Sequence, residues 1–410
     1  MRYDREMLSH RHLIVAAFAS LSLLFVDAVQ GQSTASKASP AASGAKQAPS
    51  DKQPAKSAKP QRGPGLRFGI ETPPKKNGAV RIAAYNLQNL FDHVDDPSLD
   101  NKWEEESLRV TDDRAKSLAK AIERLDADVL IVEEVESKEA LLWFRDTYLK
   151  GMGYTFAESL DAGYYRGVEQ SVLSRFPLKN PRVFLDAKLK SSAAPLPSEP
   201  KEGDGEKEQG PPNDETKFQR SPLAVDVEFP GGYELTVYAI HHKAGGKAFE
   251  AHRAAEAEKI VELIRADLTK DPSRNLILMG DFNSTPASDV CKFYRAAGLI
   301  NGYDFRPEAD RVAEKDKKLP DAKREALREK YTTHESGRPI DYIMLSSGFS
   351  KEVVDGSFFI LSTLHPGDAY DWKTDPHPAG YASDHYPIAL EFTPKESHPV
   401  KSDSAAASPR

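Results

Sequence analysis

The stretch Asn275–Pro286, NLILMGDFNSTP, is the part of the sequence that decides the fold. Its apolar run Leu276–Met279 is too short for a typical helix and predicts a strand buried on both faces. The strand ends at Gly280, and Asp281 and Asn283 point the same way if it continues that far. A polar pair at the carboxyl end of a strand is typical of the ligand-binding edge of an α/β sheet. Asp281 and Asn283 are therefore the first candidates for chemistry, and the alternative is an Asx turn that caps the next helix.

Length and composition limit the possible number of domains, the possible binding partners and the possible disulfides. The chain has 410 residues, of which 39% are hydrophobic and 29% charged, with a formal net charge of -7. That length suits one large domain or two small ones. The mild acidity argues against binding of polyanions by the whole surface, but it leaves local basic patches open. The single cysteine, Cys291, excludes an intrachain disulfide and is expected to act as a small buried hydrophobe.

The two ends of the chain differ in composition from its middle. Residues 1–31 have a basic start, an apolar core too short to span a membrane comfortably and then small residues, which predicts a cleaved signal peptide and a secreted or periplasmic protein. An uncleaved membrane anchor is the alternative. Residues 32–77, rich in Ala, Ser, Pro and Lys, predict a disordered tether, and residues 394–410 a disordered tail. The folded domain is predicted over residues 78–393.

Strand and helix patterns alternate within that domain. Thr111 is a plausible cap for an amphipathic helix over Asp112–Leu125, and Pro230-Gly231-Gly232 indicates a hairpin between two strands. The strands are predicted at Ala79–Asn86, Asp128–Val132, Gln170–Ser174, Arg182–Leu185, Leu223–Phe229, Glu234–His242, Leu276–Met279, Ile340–Leu345, Ser357–Leu361 and Pro387–Phe392, and further helices at Ser137–Leu149 and Lys247–Leu268. Residues 186–217 predict a disordered insertion, and residues 306–330 a charged, exposed helical one.

The mixture of hairpins and crossover helices predicts an α/β fold. Two mixed β-sheets stack face to face, and helices flank them on the outside, which gives a four-layer sandwich.

Several predicted core strands end in acids, amides or histidines. Ionisable groups are rarely buried without partners, so such a set is not expected from core packing alone. The strand ends concerned carry Asn86, Glu134, His241, Asp281 with Asn283, Asp341, and Asp384 with His385.

Part of this set suits a metal ion. A hard cation such as Mg²⁺ prefers oxygen ligands from carboxylates, together with water and substrate phosphate. Asn86, Glu134 and Asp384 can supply such oxygens. The sequence lacks the thiol clusters and the His-x-x-x-His spacing of zinc sites, so Mg²⁺ or Mn²⁺ is predicted.

The remaining groups suit attack of water on phosphorus. A histidine oriented by a carboxylate can accept the water proton near neutral pH, and His385 with Asp341 fits that role. Asp281 is the rival base. His241 and Asn283 could donate hydrogen bonds to the charged phosphoryl oxygens.

The ordered motifs over residues 79–393 resemble the endonuclease/exonuclease/phosphatase superfamily. That superfamily includes pancreatic-type deoxyribonuclease, apurinic endonucleases, neutral sphingomyelinases and inositol polyphosphate 5-phosphatases, so the resemblance implies a deoxyribonuclease I-like fold. The motifs are YNLQNLFD, DVLIVEEVE, SVLSRFPL, HHKAGG, LMGDFNSTP, RPIDYIML and SDHYPI.

The resemblance also implies roles for individual positions. The residues that match the family's catalytic positions are His241, Asp281, Asn283, Asp341 and His385; those that match its metal-binding region are Asn86, Glu134 and Asp384; and those in its segment near phosphate are Tyr165 and Arg166. Lys243 is added as a phosphate contact because of its charge, with a solvated side chain as the alternative.

Some positions depart from the family pattern or are expected to be structural. Glu133 stands where many members have Gln, and Ala239 stands where many have Asn, which weakens an apurinic-type assignment. His242 is expected to face away from the site. Arg253 and Glu256 are expected on a solvated helix face.

Together these features predict a secreted, metal-dependent phosphodiesterase. A monomeric nuclease acting on DNA or RNA is the main hypothesis, with no stable membrane partner. A sphingomyelinase-like or inositol-phosphate phosphoesterase is one alternative. A catalytically silent binding protein on the same fold is the other.

Overall fold

A computed structural model of the chain describes residues 62–94, 109–190 and 217–395. The predicted signal peptide, most of the predicted tether, most of the 186–217 insertion and nearly all of the predicted tail lie outside the described residues. Within the described part, no helix combines the length and the hydrophobicity needed to cross a membrane.

The described residues form strands and helices in alternation. The strands are β1 (Gly65–Leu66), β2 (Val80–Leu90), β3 (Val129–Val135), β4 (Phe156–Ser159), β5 (Glu169–Ser174), β6 (Leu178–Arg182), β7 (Leu223–Phe229), β8 (Tyr233–His241), β9 (Asn275–Asp281), β10 (Ile300–Asn301), β11 (Asp341–Leu345), β12 (Phe359–Ile360), β13 (Leu364–His365) and β14 (Ile388–Phe392). The helices are α1 (Asp112–Leu125), α2 (Lys138–Tyr148), α3 (Glu250–Lys270), α4 (Asp289–Ala296), α5 (Glu308–Lys315) and α6 (Asp321–Lys330).

Two sheets of six strands each dominate the fold. Their strand orders are β12-β14-β2-β3-β5-β4 and β10-β11-β9-β8-β7-β6. In each sheet one central pair is parallel, β2 with β3 and β8 with β9. Parallel neighbours need a crossover connection, and α1 and α3 lie in those two connections.

The side chains of β2 show how the layers stack. Ile82 and Ala84 join the core cluster that also contains Val237 and Ile277 of the other sheet. Ala83 and Tyr85, on the opposite face, join the cluster built with α1 and α2. Alternating side chains thus serve two cores, while α3 and α4 cover the outer face of the second sheet. This four-layer α/β sandwich is the fold that the sequence predicts.

Local signals account for several elements. Thr111 accepts a hydrogen bond from Arg114 N at the start of α1, which begins and ends where predicted. Ser137 caps α2 in the same way through Ala140 N. The predicted hairpin is confirmed, since β7 and β8 pair up to Phe229 opposite Tyr233.

Two boundaries differ from the prediction. Strand β6 lies at Leu178–Arg182, ahead of the predicted Arg182–Leu185, because pairing with β7 sets its extent. Residues 62–77 are not a free tether over their described length: β1 pairs with β13, and the Phe68 side chain is buried. Their partners lie almost three hundred residues along the chain, as in the β1 pairing of Gly65 with His365, so local composition could not reveal them.

The charged segment around residues 306–330 forms α5 and α6. Neither helix contains a buried residue, which agrees with the predicted exposed helical excursion.

Glu169 of β5 gives the fold a specific pH dependence. Burial raises the pKa of Glu169 from the ordinary 4.5 to about 7. The hydrogen bond that the Ser159 hydroxyl donates to the Glu169 carboxylate lowers this pKa, but by less than burial raises it. A raised carboxyl pKa makes the native state less stable as pH rises from about 4.5 to about 7. We expect Glu169→Gln to raise the free energy of unfolding at pH 8 by up to about 3 kcal/mol. Urea unfolding at pH 4 and pH 8 tests this: the gain must be absent at pH 4, and an equal gain at both pH values would contradict it.

Candidate active site

The carboxyl end of β9 carries an Asx turn. Asp281 Oδ1 accepts a hydrogen bond from Asn283 N at 2.7 Å, and Asn283 has a left-handed φ of 47°. The turn does not cap the next helix, because α4 begins at Asp289 and its cap is Ser288. The Asx turn of the alternative is thus present without the predicted capping role, and it leaves the second carboxylate oxygen of Asp281 available for other contacts.

That second oxygen, Asp281 Oδ2, lies among the predicted catalytic groups. It is 3.3 Å from His241 Nε2, 3.7 Å from His385 Nε2 and 2.9 Å from Asn283 Nδ2. Burial opposes the charge of Asp281, but the two histidines and the Asn283 backbone N–H outweigh it and hold the pKa well below its ordinary value. Asn283 Nδ2 also donates to the His242 carbonyl at 3.1 Å, so both of its hydrogens are used to orient this end of the strand.

The register of β11 places Asp341 directly opposite Asp281. His385 Nδ1 lies 3.0 Å from both carboxylate oxygens of Asp341. Burial alone would lower the pKa of His385, yet the carboxylates of Asp341, Asp281 and Asp384 raise it well above its ordinary value. The predicted Asp–His pair is thus formed, and it holds the ring with Nε2 directed toward Asp281.

His241 reaches the same place from the neighbouring strand. In the parallel pair of β8 and β9, His241 is the register partner of Asp281. Burial, and next the positive charge of Arg220, lower the pKa of His241, which favours the neutral ring. His241 Nε2 also lies 3.8 Å from Glu134 Oε1, so this histidine stands between the Asp281 carboxylate and the predicted metal ligand.

A β-bulge directs Glu134 into the site. The register of β3 shifts between Glu133 and Val135, and Glu134 has a φ of 62°. Asn86 Nδ2 donates to Glu134 Oε1 at 3.2 Å, and Asn89 N donates to Oε2 at 3.0 Å. Bulges re-aim side chains next to active sites, and this one brings the predicted ligands Asn86 and Glu134 together.

The third predicted metal ligand has a different neighbour. Asp384 Oδ2 lies 3.4 Å from Nε2 of His334, a residue to which sequence reasoning gave no role. Asp384 N donates to Gln88 Oε1 at 3.1 Å, which holds this residue against the end of β2. Asp384 therefore borders the site, and its closest ionic partner is a histidine rather than Glu134.

Glu133 lies buried beneath the site. Neither of its carboxylate oxygens has a hydrogen-bond partner. Burial, and after it the negative charges of Asp341 and Asp281, raise the pKa of Glu133 well above its ordinary value. The packing here also requires Gly280, because a Cβ at that position would lie 2.1 Å from Ile240 O and 2.6 Å from Glu133 Oε1. The close approach of these two oxygen atoms therefore requires glycine at this position of the GDFN motif.

Positive groups lie on the His241 side of the site. Arg166 Nη2 donates to Asn89 Oδ1 at 3.2 Å. Burial, and next the charge of Arg220, lower the pKa of Lys243 to about 8, and the Lys243 ammonium lies 4.2 Å from the Phe249 ring centre. Arg166 contributes to the same lowering, which places it near Lys243.

Tyr165 lies beside these basic groups. Its ring packs edge-on against Tyr164, over which the Arg220 guanidinium lies at 4.9 Å. The predicted substrate residues Tyr165, Arg166 and Lys243 therefore lie around Arg220, to which the sequence analysis gave no role.

The solvated face predicted for α3 is wrong at two positions. Glu256 is buried and hydrogen-bonds to His242 Nδ1 at 2.9 Å and to Lys243 N at 2.9 Å. Arg253 is buried as well, donating to Ser284 Oγ at 3.0 Å and to the Lys243 carbonyl at 2.9 Å. These two charges clamp the loop after β8 to the loop after β9. His242 faces this network, as expected.

Sequence reasoning missed Arg220, Arg253, Glu256 and His334. The helix around Arg253 and Glu256 has the charged composition of a solvent-exposed helix face. The partners of these two residues come from loops far apart in sequence, so local composition could not reveal their burial. For His334, the only sign in the sequence was its position a few residues before the RPID motif.

Comparison with known proteins identifies the family of the chain. The model of the Endonuclease/Exonuclease/phosphatase family matches residues 83–385. No curated protein matches the chain.

Solved structures with a similar fold include the human Nocturnin catalytic domain with bound sulfate anion, 16% identical, with a TM-score of 0.47 over 80% of this chain and 97% of that one. An endonuclease/exonuclease/phosphatase from Bacteroides vulgatus is 16% identical, with a TM-score of 0.44 over 77% and 99%. Truncated TDP2 of Caenorhabditis elegans is 13% identical, with a TM-score of 0.43 over 78% and 98%.

The family match covers most of the chain and nearly all of the strands that carry the site. Members of this family are generally phosphoester hydrolases and typically depend on a divalent metal. The chain belongs to the Endonuclease/Exonuclease/phosphatase family.

Proposed function

We propose that the protein is a secreted, metal-dependent nuclease that hydrolyses DNA or RNA phosphodiester bonds by in-line attack of water. The observation that carries this proposal is the position of Asp281 Oδ2 between His241 and His385, with His385 held by Asp341. A catalytically silent binding protein has no need of such an assembly of buried charges. The predicted signal peptide at residues 1–31 supports export.

His385 is the proposed proton acceptor. Its Nδ1 is held by Asp341 at 3.0 Å, which leaves Nε2 for the attacking water. The raised pKa of His385 favours the protonated ring, so this histidine must release a proton before it can accept one from water. Asp281, whose lowered pKa keeps the carboxylate ionised, is the rival base, and it also stabilises the imidazolium of His385 and orients the neutral His241 ring.

The transition-state charge is met by donors on the other side. His241, whose lowered pKa keeps the ring neutral, can donate a hydrogen bond to a phosphoryl oxygen or to the departing oxygen. Asn283 orients the Asp281 carboxylate, and the predicted contact to phosphate would require its Nδ2 to give up one of its two present hydrogen bonds. Lys243 and Arg166 are proposed to bind flanking phosphates of the chain.

The donor set near β2 and β3 fits a hard divalent cation. Glu134 offers a carboxylate that the bulge directs into the site, which suits Mg²⁺ or Mn²⁺. Asn86 directs Nδ2 to Glu134 while its amide oxygen accepts from Gln88 N, so a role for Asn86 as a ligand would require that amide to turn. When bound there, the ion would neutralise negative charge on a phosphate oxygen.

Surface features favour a nucleic acid over a lipid. The site is flanked by the partly exposed Arg166 and Lys243, together with the buried Arg220, although the whole chain is acidic. The exposed large apolar side chains of the described residues lie in separate segments and form no continuous apolar hairpin: Leu66, Val94, Leu185, Phe293 and Val312. A lipid-cleaving enzyme is expected to present a contiguous apolar surface for membrane contact.

A substrate panel tests the proposal. Purified protein is incubated with plasmid DNA, RNA, sphingomyelin and inositol phosphates, each with Mg²⁺ or Mn²⁺. We expect DNA or RNA to be cleaved fastest, activity to vanish in excess EDTA, and Mg²⁺ to restore it, because the proposed site needs an ion.

The His385→Ala protein, prepared in parallel, excludes a contaminating nuclease. Faster cleavage of sphingomyelin or an inositol phosphate would overturn the nuclease assignment. Full activity in excess chelator would overturn the metal dependence.

A further inference from the structure

A second group of potential metal ligands lies beside the proposed catalytic groups. His334, Asp384 and His385 are all buried, and one ligand atom from each lies within 4.8 Å of the others. His334 takes no part in the proposed hydrolysis. Its position next to two residues of the site therefore calls for a separate explanation.

The spacing of two of these atoms fits a bound ion. His334 Nε2 lies 3.4 Å from Asp384 Oδ2. An N–H···O hydrogen bond usually spans about 2.7 to 3.2 Å. Two ligands on a tetrahedral Zn²⁺, with bonds of about 2.0 to 2.1 Å, lie about 3.3 Å apart.

The opposite ring nitrogens are already held by other groups. His385 Nδ1 is bound to Asp341, and His334 Nδ1 lies 2.8 Å from Ser336 Oγ. The contact of His385 with Asp341 is the usual one for a metal-binding histidine, in which the second nitrogen donates to a carboxylate and orients the first toward the ion.

His334 must exchange a proton to bind an ion. Ser336 N–H also donates to His334 Nδ1, at 2.9 Å, so the uncomplexed neutral ring carries its proton on Nε2. An ion at Nε2 would displace that proton. The ring would then carry its proton on Nδ1, where Ser336 Oγ is placed to accept it, and the hydrogen bond from Ser336 N–H to that nitrogen would be lost.

The chemistry of the ligands selects the type of ion. Two imidazoles and one carboxylate suit a borderline ion such as Zn²⁺, whereas Mg²⁺ favours the oxygen atoms offered by Asn86 and Glu134. We propose that His334, Asp384 and His385 form a separate Zn²⁺ site and that the occupied site is inactive. Inhibition rests on the proposed function, because His385 Nε2, once it binds the ion, cannot accept the water proton.

Cobalt absorption reports the site without any activity measurement. Full-length protein is titrated with Co²⁺, whose visible bands reveal tetrahedral nitrogen and oxygen ligation, and Zn²⁺ affinity is measured by competition. We expect the bands in the wild type and in Glu134→Gln. In His334→Phe they should be lost, with Zn²⁺ binding at least about tenfold weaker.

His377→Ala is the matched control. His377 is a nearby histidine that stacks on Tyr381 and lies outside the cluster, so its removal should leave the Co²⁺ spectrum unchanged. His334→Gln serves as a second variant if the phenylalanine disturbs the packing against Trp372. Wild-type Co²⁺ bands in both His334 variants would overturn the site.

Inhibition is read as the Zn²⁺ concentration that halves each protein's own Mg²⁺-dependent rate. That concentration should rise at least about tenfold in His334→Phe. Equal Zn²⁺ sensitivity of the wild type and His334→Phe would overturn the inhibitory role. A His334-dependent Co²⁺ spectrum in a protein that cleaves none of the substrates would support the ion site and refute the proposed function.

Discussion

Replacing His385 by alanine should lower the turnover number by at least about a hundredfold, since general base catalysis contributes that much or more. The ring is held by Asp341 at 3.0 Å and faces Asp281, so its loss removes the proposed proton acceptor. Initial rates on the best nucleic acid substrate, at saturating substrate and Mg²⁺, measure the effect.

Asn283→Ala should reduce turnover to a similar extent through the loss of Asp281 orientation. Because Asn283 has a φ of 47°, alanine adds backbone strain there, and Asn283→Gly separates strain from the loss of the amide. Circular dichroism melts establish that each variant is folded.

His377→Ala controls for the loss of a neighbouring histidine and should keep the wild-type rate. Near-wild-type turnover in both His385→Ala and Asn283→Ala would remove the proposed mechanism.

Local sequence signals were sufficient for much of the architecture. The Thr111 cap, the apolar face of α1 and the Pro230-Gly231-Gly232 turn act over a few residues, so their outcome could be predicted. The polar strand ends could be predicted as a group as well, because strands of both sheets end at the same edge of the sandwich. Asp281, Asp341 and His385 meet there as expected.

Long-range contacts limited the prediction of the site. Burial of Arg253 and Glu256 depends on two loops that approach α3 from elsewhere in the chain. The direction of Glu134 depends on a register shift between neighbouring strands, which simple alternation does not contain. Asp384 illustrates a third limit: its place near the site was predicted, but its pairing with His334 follows from tertiary packing.

The GDFN turn shows why two interpretations of one motif need not exclude each other. Asp281 uses Oδ1 for the Asx turn and Oδ2 for the two histidines. The turn fixes the carboxylate, and a fixed carboxylate can orient His241 and His385 at little further entropic cost.

The adjacent acids Glu133 and Glu134 should respond to the same substitution in opposite ways. Glu134→Gln removes the carboxylate that we propose for the metal, and turnover should fall at least about a hundredfold because the ion contributes several kcal/mol. Its stability should change little, since Gln can still accept the hydrogen bond from Asn89 N. Isothermal titration with Mg²⁺ or Mn²⁺ should show weaker binding.

Glu133→Gln should instead keep activity and raise the melting temperature at neutral pH. Burial raises the pKa of Glu133, so ionisation in the unfolded chain destabilises the native state as pH rises above the ordinary carboxyl pKa, and an amide removes that penalty. The gain should disappear at pH 4, where both states bind the proton. Loss of activity in Glu133→Gln together with wild-type activity in Glu134→Gln would contradict the assignment of Glu134 as the metal ligand, because the bulge directs Glu134 and not Glu133 into the site.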